Sequence, residues 1–215
     1  PTTEFNFDIN LSSSAEVGET YTTAQTVYDS LGNAVPVTFT FTKAGPGAWS
    51  VAGSIPPSVG SGMTIGGAAS MAITFDENGA MTAPAGDVTV AVTAGANGLM
   101  TNGASPLSMT WDFYDAATPP ASYGDVTGFS SASGTTFQYQ DGYPAGMLRG
   151  ISIDETGVVT ASYSNGEMTP LYQIALVDFP SYDGLTKMGK NLYAESLASG
   201  QALVGTAGNG RLGNI

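Results

Sequence analysis

Histidine and cysteine are both absent from these 215 residues, and basic side chains number five against eighteen acidic ones, a formal net charge of −13. Without cysteine there are no disulfides, zinc fingers, iron–sulfur clusters or thiol nucleophiles. Without histidine there is no Ser-His-Asp triad, no imidazole base and no usual transition-metal ligand. Five scattered bases exclude nucleic acid, whose phosphates need clustered Lys and Arg, and the charge repels anionic membrane surfaces. No apolar run approaches the 18 or so residues of a membrane span, and no basic-plus-apolar leader is present. Charged residues are scarce as well, at 11%.

What is abundant is glycine, at 29 residues, with 12 prolines and a 42% apolar fraction. That composition predicts an ordered chain of many turns and few helices. Short alternating runs recur: Val37–Thr42, Met71–Phe75, Val88–Val92, Leu107–Phe113 and Thr136–Tyr139. Each places apolar side chains on one face and polar ones on the other, as half-buried strands do. Lys43-Ala44-Gly45-Pro46-Gly47 reads as a turn. Later, Gly150–Ile153 and Val158–Tyr163 flank Asp154-Glu155-Thr156-Gly157 as a hairpin, and Asn165-Gly166 turns the chain toward a strand over 170–177. At most one short helix is expected, near 181–190, with Ser181 or Asp183 as its cap. The expected fold is all-β: two β-rich domains of the antiparallel sandwich or barrel type.

The charge divides unevenly. Residues 1–148 hold twelve acids and Lys43 alone as base, leaving −11, whereas 149–215 hold six acids and four bases, leaving −2. The change falls beside the Gly/Pro-rich stretch 141–146, which predicts domains at 1–141 and 142–215.

No set of residues stands out as catalytic. The acidic turns at Asp76 and Asp154 lack the alternating acids and twelfth-position glutamate of an EF-hand, and backbone geometry alone selects Asp, Asn and Gly there. No Ser-x-x-K precedes any lysine, and Trp49 and Trp111, at alternation positions, read as core. Cofactors are expected to be none.

Two stretches carry a family resemblance. Thr26-Val27-Tyr28-Asp29-Ser30-Leu31-Gly32-Asn33 is similar to the element that opens the inserted domain of bacterial flagellar hook proteins. The tail resembles the C-terminal flank of hook and rod axial proteins: Gln173–Phe179, Asp183-Gly184-Leu185-Thr186, Gly189-Lys190-Asn191-Leu192-Tyr193, Ser199-Gly200 and Gly205–Gly210. The resemblance implies an extracellular structural subunit of the flagellum, exported through a type III channel. It would self-associate into a helical tube and meet other axial proteins of the rod, hook cap and hook–filament junction. It also implies an outer β-domain at 1–141 and the later half of an inner β-domain at 142–215, whose earlier half would precede Pro1. It implies further that the terminal helices of the family would lie outside this sequence. Tyr28, Asp29, Gly32, Asn33, Asp183, Gly184, Leu185, Gly189, Asn191, Tyr193, Gly200 and Gly205 are then structural motif residues rather than a reactive site. The reading from another class is a cell-surface β-sandwich binding module for carbohydrate or protein, with Trp49 or Trp111 as stacking surfaces.

Overall fold

The computed structural model describes residues 1–95, 97–113, 125–209 and 212–215. Asp115 and Arg211 of the charge division and Gly210 of the tail motif lie outside the described residues. No helix occurs among those described, and the chain forms two compact units, Pro1–Ala145 and Gly146–Ile215.

Unit 1 is built from two sheets. One comprises β2 (Thr20–Tyr28), β3 (Ala34–Gly45), β4 (Ala48–Ser54), β6 (Ser70–Phe75) and β7 (Met81–Ala83), paired antiparallel in that order. The other comprises β1 (Glu4–Asn10), β5 (Met63–Ile65), β8 (Val88–Val92), β9 (Ser108–Trp111), β10 (Val126–Thr127) and β11 (Gly134–Gln140). Here the antiparallel expectation needs amending. β1 pairs antiparallel with β11 but parallel with β9 and β10. Parallel pairing needs a long crossover, and roughly a hundred residues or more separate β1 from either partner, far beyond the dozen required.

The alternation in sequence is the alternation in burial along β3, β8 and β9, but not along β11 at the sheet edge, where Phe137 and Tyr139 are about half exposed. Phe5, Phe7 and Ile9 of β1 are buried, and so are Val35, Val37, Phe39 and Phe41 of β3. Trp111 sits among five phenylalanines: its ring centroid lies 4.4 Å from that of Phe113, stacked, and 5.0 to 6.2 Å from those of Phe39, Phe7, Phe5 and Phe41. Full burial of each large side chain contributes about 2–3 kcal/mol, and ring geometry adds to it. At one edge the two sheets are joined by side chains: Tyr21 Oη and Thr135 Oγ1 are 2.9 Å apart, and Gln138 Nε2 donates to Thr23 Oγ1 at 3.1 Å.

β3 runs longer than its sequence signals suggest. Lys43 lies within it, paired with Trp49, because the reversal is confined to the Pro46-Gly47 step, where Gly47 has φ 59°.

Unit 2 has a three-stranded antiparallel sheet, β12 (Leu148–Ile153), β13 (Val158–Tyr163) and β14 (Met168–Gln173). The run expected over 170–177 breaks at Ile174, whose amide donates to Gly157 O; β15 (Ala175–Asp178) then pairs with β18 (Leu203–Thr206) instead. In place of the helix near 181–190 stand a turn and a hairpin, β16 (Thr186–Gly189) and β17 (Leu192–Ala194). Gly189, Lys190 and Asn191 have φ of 91°, 52° and 61°, left-handed values that no α-helix contains. Among the described residues of unit 2 the buried apolar side chains are Ala161 and Ala207 alone, whereas Ile151, Ile153, Met168, Tyr172, Met188 and Leu192 are all more than half exposed.

Candidate functional site

The motif at 28–33 joins β2 to β3. Asp29 begins it: its amide donates to Asn33 O at 3.1 Å, and the Gly32 amide donates back to Asp29 O at 3.0 Å. Asp29 Oδ1 accepts from the amides of Leu31 and Asn33, each at 2.9 Å. Oδ2 accepts from Asn33 Nδ2 at 3.0 Å and from Asn102 Nδ2 at 2.7 Å. Burial alone would raise this carboxyl's pKa, but these donors outweigh it and hold it below the ordinary value.

Two other turns repeat the pattern. Asp76 and Asp154 each accept on Oδ1 from the amides two and four residues ahead, at 2.8 to 2.9 Å, and each is followed three residues later by glycine at φ 78°. Their pKa values are also depressed, by the Ala80 amide first in one case and by the Thr156 hydroxyl, then the Val158 amide, in the other. The spacing Asp-x-x-Gly-x therefore marks one hairpin geometry at 29, 76 and 154. The acids serve the turns, and among the described residues no group of three or more acids gathers to hold a metal ion.

What sets the first turn apart is its surroundings. It lies where the chain enters and leaves unit 1. The Thr2 amide donates to Tyr28 O at 2.8 Å, and the Tyr28 amide donates to Thr2 Oγ1 at 2.9 Å. The Ala145 amide donates to Gly32 O at 3.3 Å, and a Cβ on Gly32 would lie 2.4 Å from that nitrogen. Asp141 closes the neck: its carboxylate accepts from the amides of Thr3 at 2.7 Å and Glu4 at 3.0 Å, and from the Thr3 hydroxyl. Burial opposes ionisation of Asp141, and these bonds reverse the balance, depressing its pKa. Asn102 and Asp141 were not legible as partners, because each lies more than 70 residues from the side chain or amide it meets. The repeated Asp-x-x-Gly-x spacing was available as a signal.

The tail motif is a second set of backbone devices. Gly184 fits against a crossing segment where a Cβ would come within 2.4 Å of Ala198 C and Ser199 N. Ser196 Oγ donates to Gly184 O at 2.5 Å, and the Ser181 amide donates to Ser199 O at 3.2 Å, so the base of the β16–β17 hairpin is clasped. Gly200, at φ 76°, packs its Cα face on Pro180. Gly205, in β18, leaves room for Leu212. Leu185 is half-buried and its amide donates to Tyr182 O, whereas Asp183, Asn191 and Tyr193 are exposed. The two motifs lie in separate units.

Trp49 and Trp111 are 1% and 0% exposed, which leaves neither indole a face for stacking on sugar. What the fold and its turns define is an all-β structural module whose distinctive residues shape backbone. The family model described as the flagellar basal body protein FlaE D2 domain matches residues 2–143, and the chain belongs to this flagellar hook protein family. It is 31% identical over 218 residues to the flagellar hook protein FlgE of Rhizobium meliloti, covering 99% of this chain and 49% of that one. The hook protein FlgE of Salmonella typhimurium is 34% identical over 192 residues, 88% of this chain and 43% of the relative. The crystal structure of Helicobacter pylori flagellar hook protein FlgE2 aligns with TM-score 0.49 and 21% identity, over 86% of this chain and 39% of that one. The chain thus spans about half the length, or less, of the curated relatives it matches.

Proposed function

We propose that this chain is part of a flagellar hook subunit, a non-enzymatic protein that polymerises into a flexible helical tube and transmits torque from motor to filament. The observation that carries the proposal is the family match over 2–143 together with identity to a hook protein along 99% of the chain. In this reading 1–141 is the outer inserted domain, tied at its neck by Asp29, Gly32 and Asp141, so that force entering through residues 2–4 and 141–145 reaches a rigid turn. Residues 142–215 belong to an inner domain completed by other parts of the hook protein. The exposed apolar side chains of unit 2 support that assignment, since a soluble unit rarely leaves so many uncovered. Contacts with rod, hook-cap and junction proteins, type III export and a location outside the cell complete the proposal. A heterologous, non-closing contact is the geometry a helical polymer requires.

Electron microscopy of cells whose full-length gene is deleted tests it. Flagella without hooks, restored by the full-length protein, are expected; normal hooks in the deletion strain would overturn the proposal.

A further inference from the structure

The buried face of β3 runs Val35, Val37, Phe39, Phe41 and then Lys43, so the pleat carries a lysine into the core. Lys43 is 3% exposed. Its Nζ donates to Ser12 O and Ser13 O, both at 3.4 Å, and lies 5.1 Å from the centroid of the Trp49 ring. No carboxylate among the described residues pairs with it. Two long carbonyl contacts and a ring face compensate only part of the desolvation of the ammonium. Burial accordingly holds its pKa below the ordinary lysine value. Trp49 Nε1 is buried without an acceptor as well, so this corner has more donors than acceptors.

The same corner opens into a cavity of about 370 Å³ lined by Lys43, Trp49, Phe75, Phe129 and the Asp76–Gly79 turn. Asp76 does not neutralise the lysine, because its Oδ1 is directed to the amides of Asn78 and Ala80. Phe129 is 45% exposed and Phe75 is half-buried, which supplies apolar walls above a charged floor. The lining mixes apolar side chains with a few polar groups, and Lys43 is its one cation beside Asp76 and Glu77, a mixture in keeping with a small-ligand site.

We propose that this cavity binds a carboxylate group, with Lys43 as its ion-pair partner and the ligand's apolar part against Phe75 and Phe129. The carboxylate belongs to a small organic acid or to an Asp or Glu side chain of a second copy of this chain, which carries 18. Glu77 at the cavity wall makes a monocarboxylate a better ligand than a dicarboxylate. The proposal stands independently of the hook reading.

The test is an NMR titration of butyrate into the chain labelled at lysine side chains, where Lys43, Lys187 and Lys190 give three signals. A saturable shift at Lys43 alone is expected, with affinity reduced on the order of tenfold or more in Lys43→Met. The Lys43 titration midpoint rises when butyrate is bound, a readout that needs no variant should Lys43→Met fail to fold. A Lys43 shift that grows with protein concentration and is reversed by butyrate identifies a second copy as the source. A concentration-independent Lys43 signal that still responds to butyrate identifies a small acid. No saturable shift up to about 100 mM butyrate at any protein concentration, or an equal response to butylamine, overturns the proposal.

Discussion

Asp29 is fully buried, and its two carboxylate oxygens accept four N–H donors, one of them from a loop 73 residues away. Replacing it by alanine strands those donors inside unit 1, and Asp29→Ala is expected to cost about 2–3 kcal/mol in urea denaturation. The same chemistry at Asp76 and Asp154 is solvent-facing, so alanine there should cost clearly less. The four depressed carboxyls set the acid limb of stability. For Asp29, Asp76, Asp141 and Asp154 the folded pKa lies below the ordinary 3.8, so the unfolded chain binds more protons as pH falls. Their contribution is fully present above about pH 4 to 5 and is lost as pH drops through 3.8 toward the folded values. The melting temperature of wild type should therefore fall between pH 5 and pH 3, and the Asp29→Ala protein should show a shallower fall; parallel curves would remove Asp29 from the account.

The β16–β17 hairpin shows how far local signals reach. Asp183, Gly184 and the polar run behind them read as a capped helix, but the left-handed values at Lys190 and Asn191 select a two-residue turn of the kind that prefers Asn-Gly. Asn tolerates that region and lysine does so at a cost. Lys190→Asn combined with Asn191→Gly is expected to stabilise the hairpin by about 1 kcal/mol, read as greater hydrogen-exchange protection of the amides that pair the two strands. Asn191→Ala is expected to lower that protection by a similar amount. Unchanged exchange in both variants would show that the clasp of Gly184 by Ala198 and Ser199, rather than the turn, holds the hairpin.

The two units differ in what holds them. Unit 1 closes two sheets over a continuous aromatic and aliphatic core, whereas unit 2, among its described residues, buries two alanines as its apolar side chains and leaves Ile151, Ile153, Met147, Met168, Met188, Tyr172, Tyr182 and Tyr193 more than half exposed. Opening free energies follow buried apolar contact, so unit 2 should open first. Trypsin reports this directly, because the sole lysine of unit 1 is buried in β3 and Lys187 and Lys190 are exposed in unit 2. Limited digestion is expected to cut at Lys187 and Lys190 and to leave a fragment reaching from Pro1 to Arg149 intact. Cleavage at Lys43 as fast as at Lys187 would contradict the difference in stability.

The longer alternating strands of unit 1 around β3, β8 and β9, their buried faces and the burial of both tryptophans were determined by the sequence itself, because period-2 alternation is local and a sheet buries one face whatever its partner; β1 at Glu4–Asn10 and the short strands β5, β7 and β10 were not read from it. The all-β class was legible for the same reason, and the kinship with hook proteins through the resemblance of the motifs at 26–33 and 173–210. Only the tertiary structure decided that β1 runs parallel to β9 and β10, that Asn102 completes the Asp29 turn, and that Gly32 must be small to admit Ala145. Those contacts join residues roughly 70 to 120 positions apart, where no local propensity acts. Lys43 combines both kinds of information. Alternation along β3 aimed it inward, and packing around it decided that no carboxylate among the described residues would pair with it there.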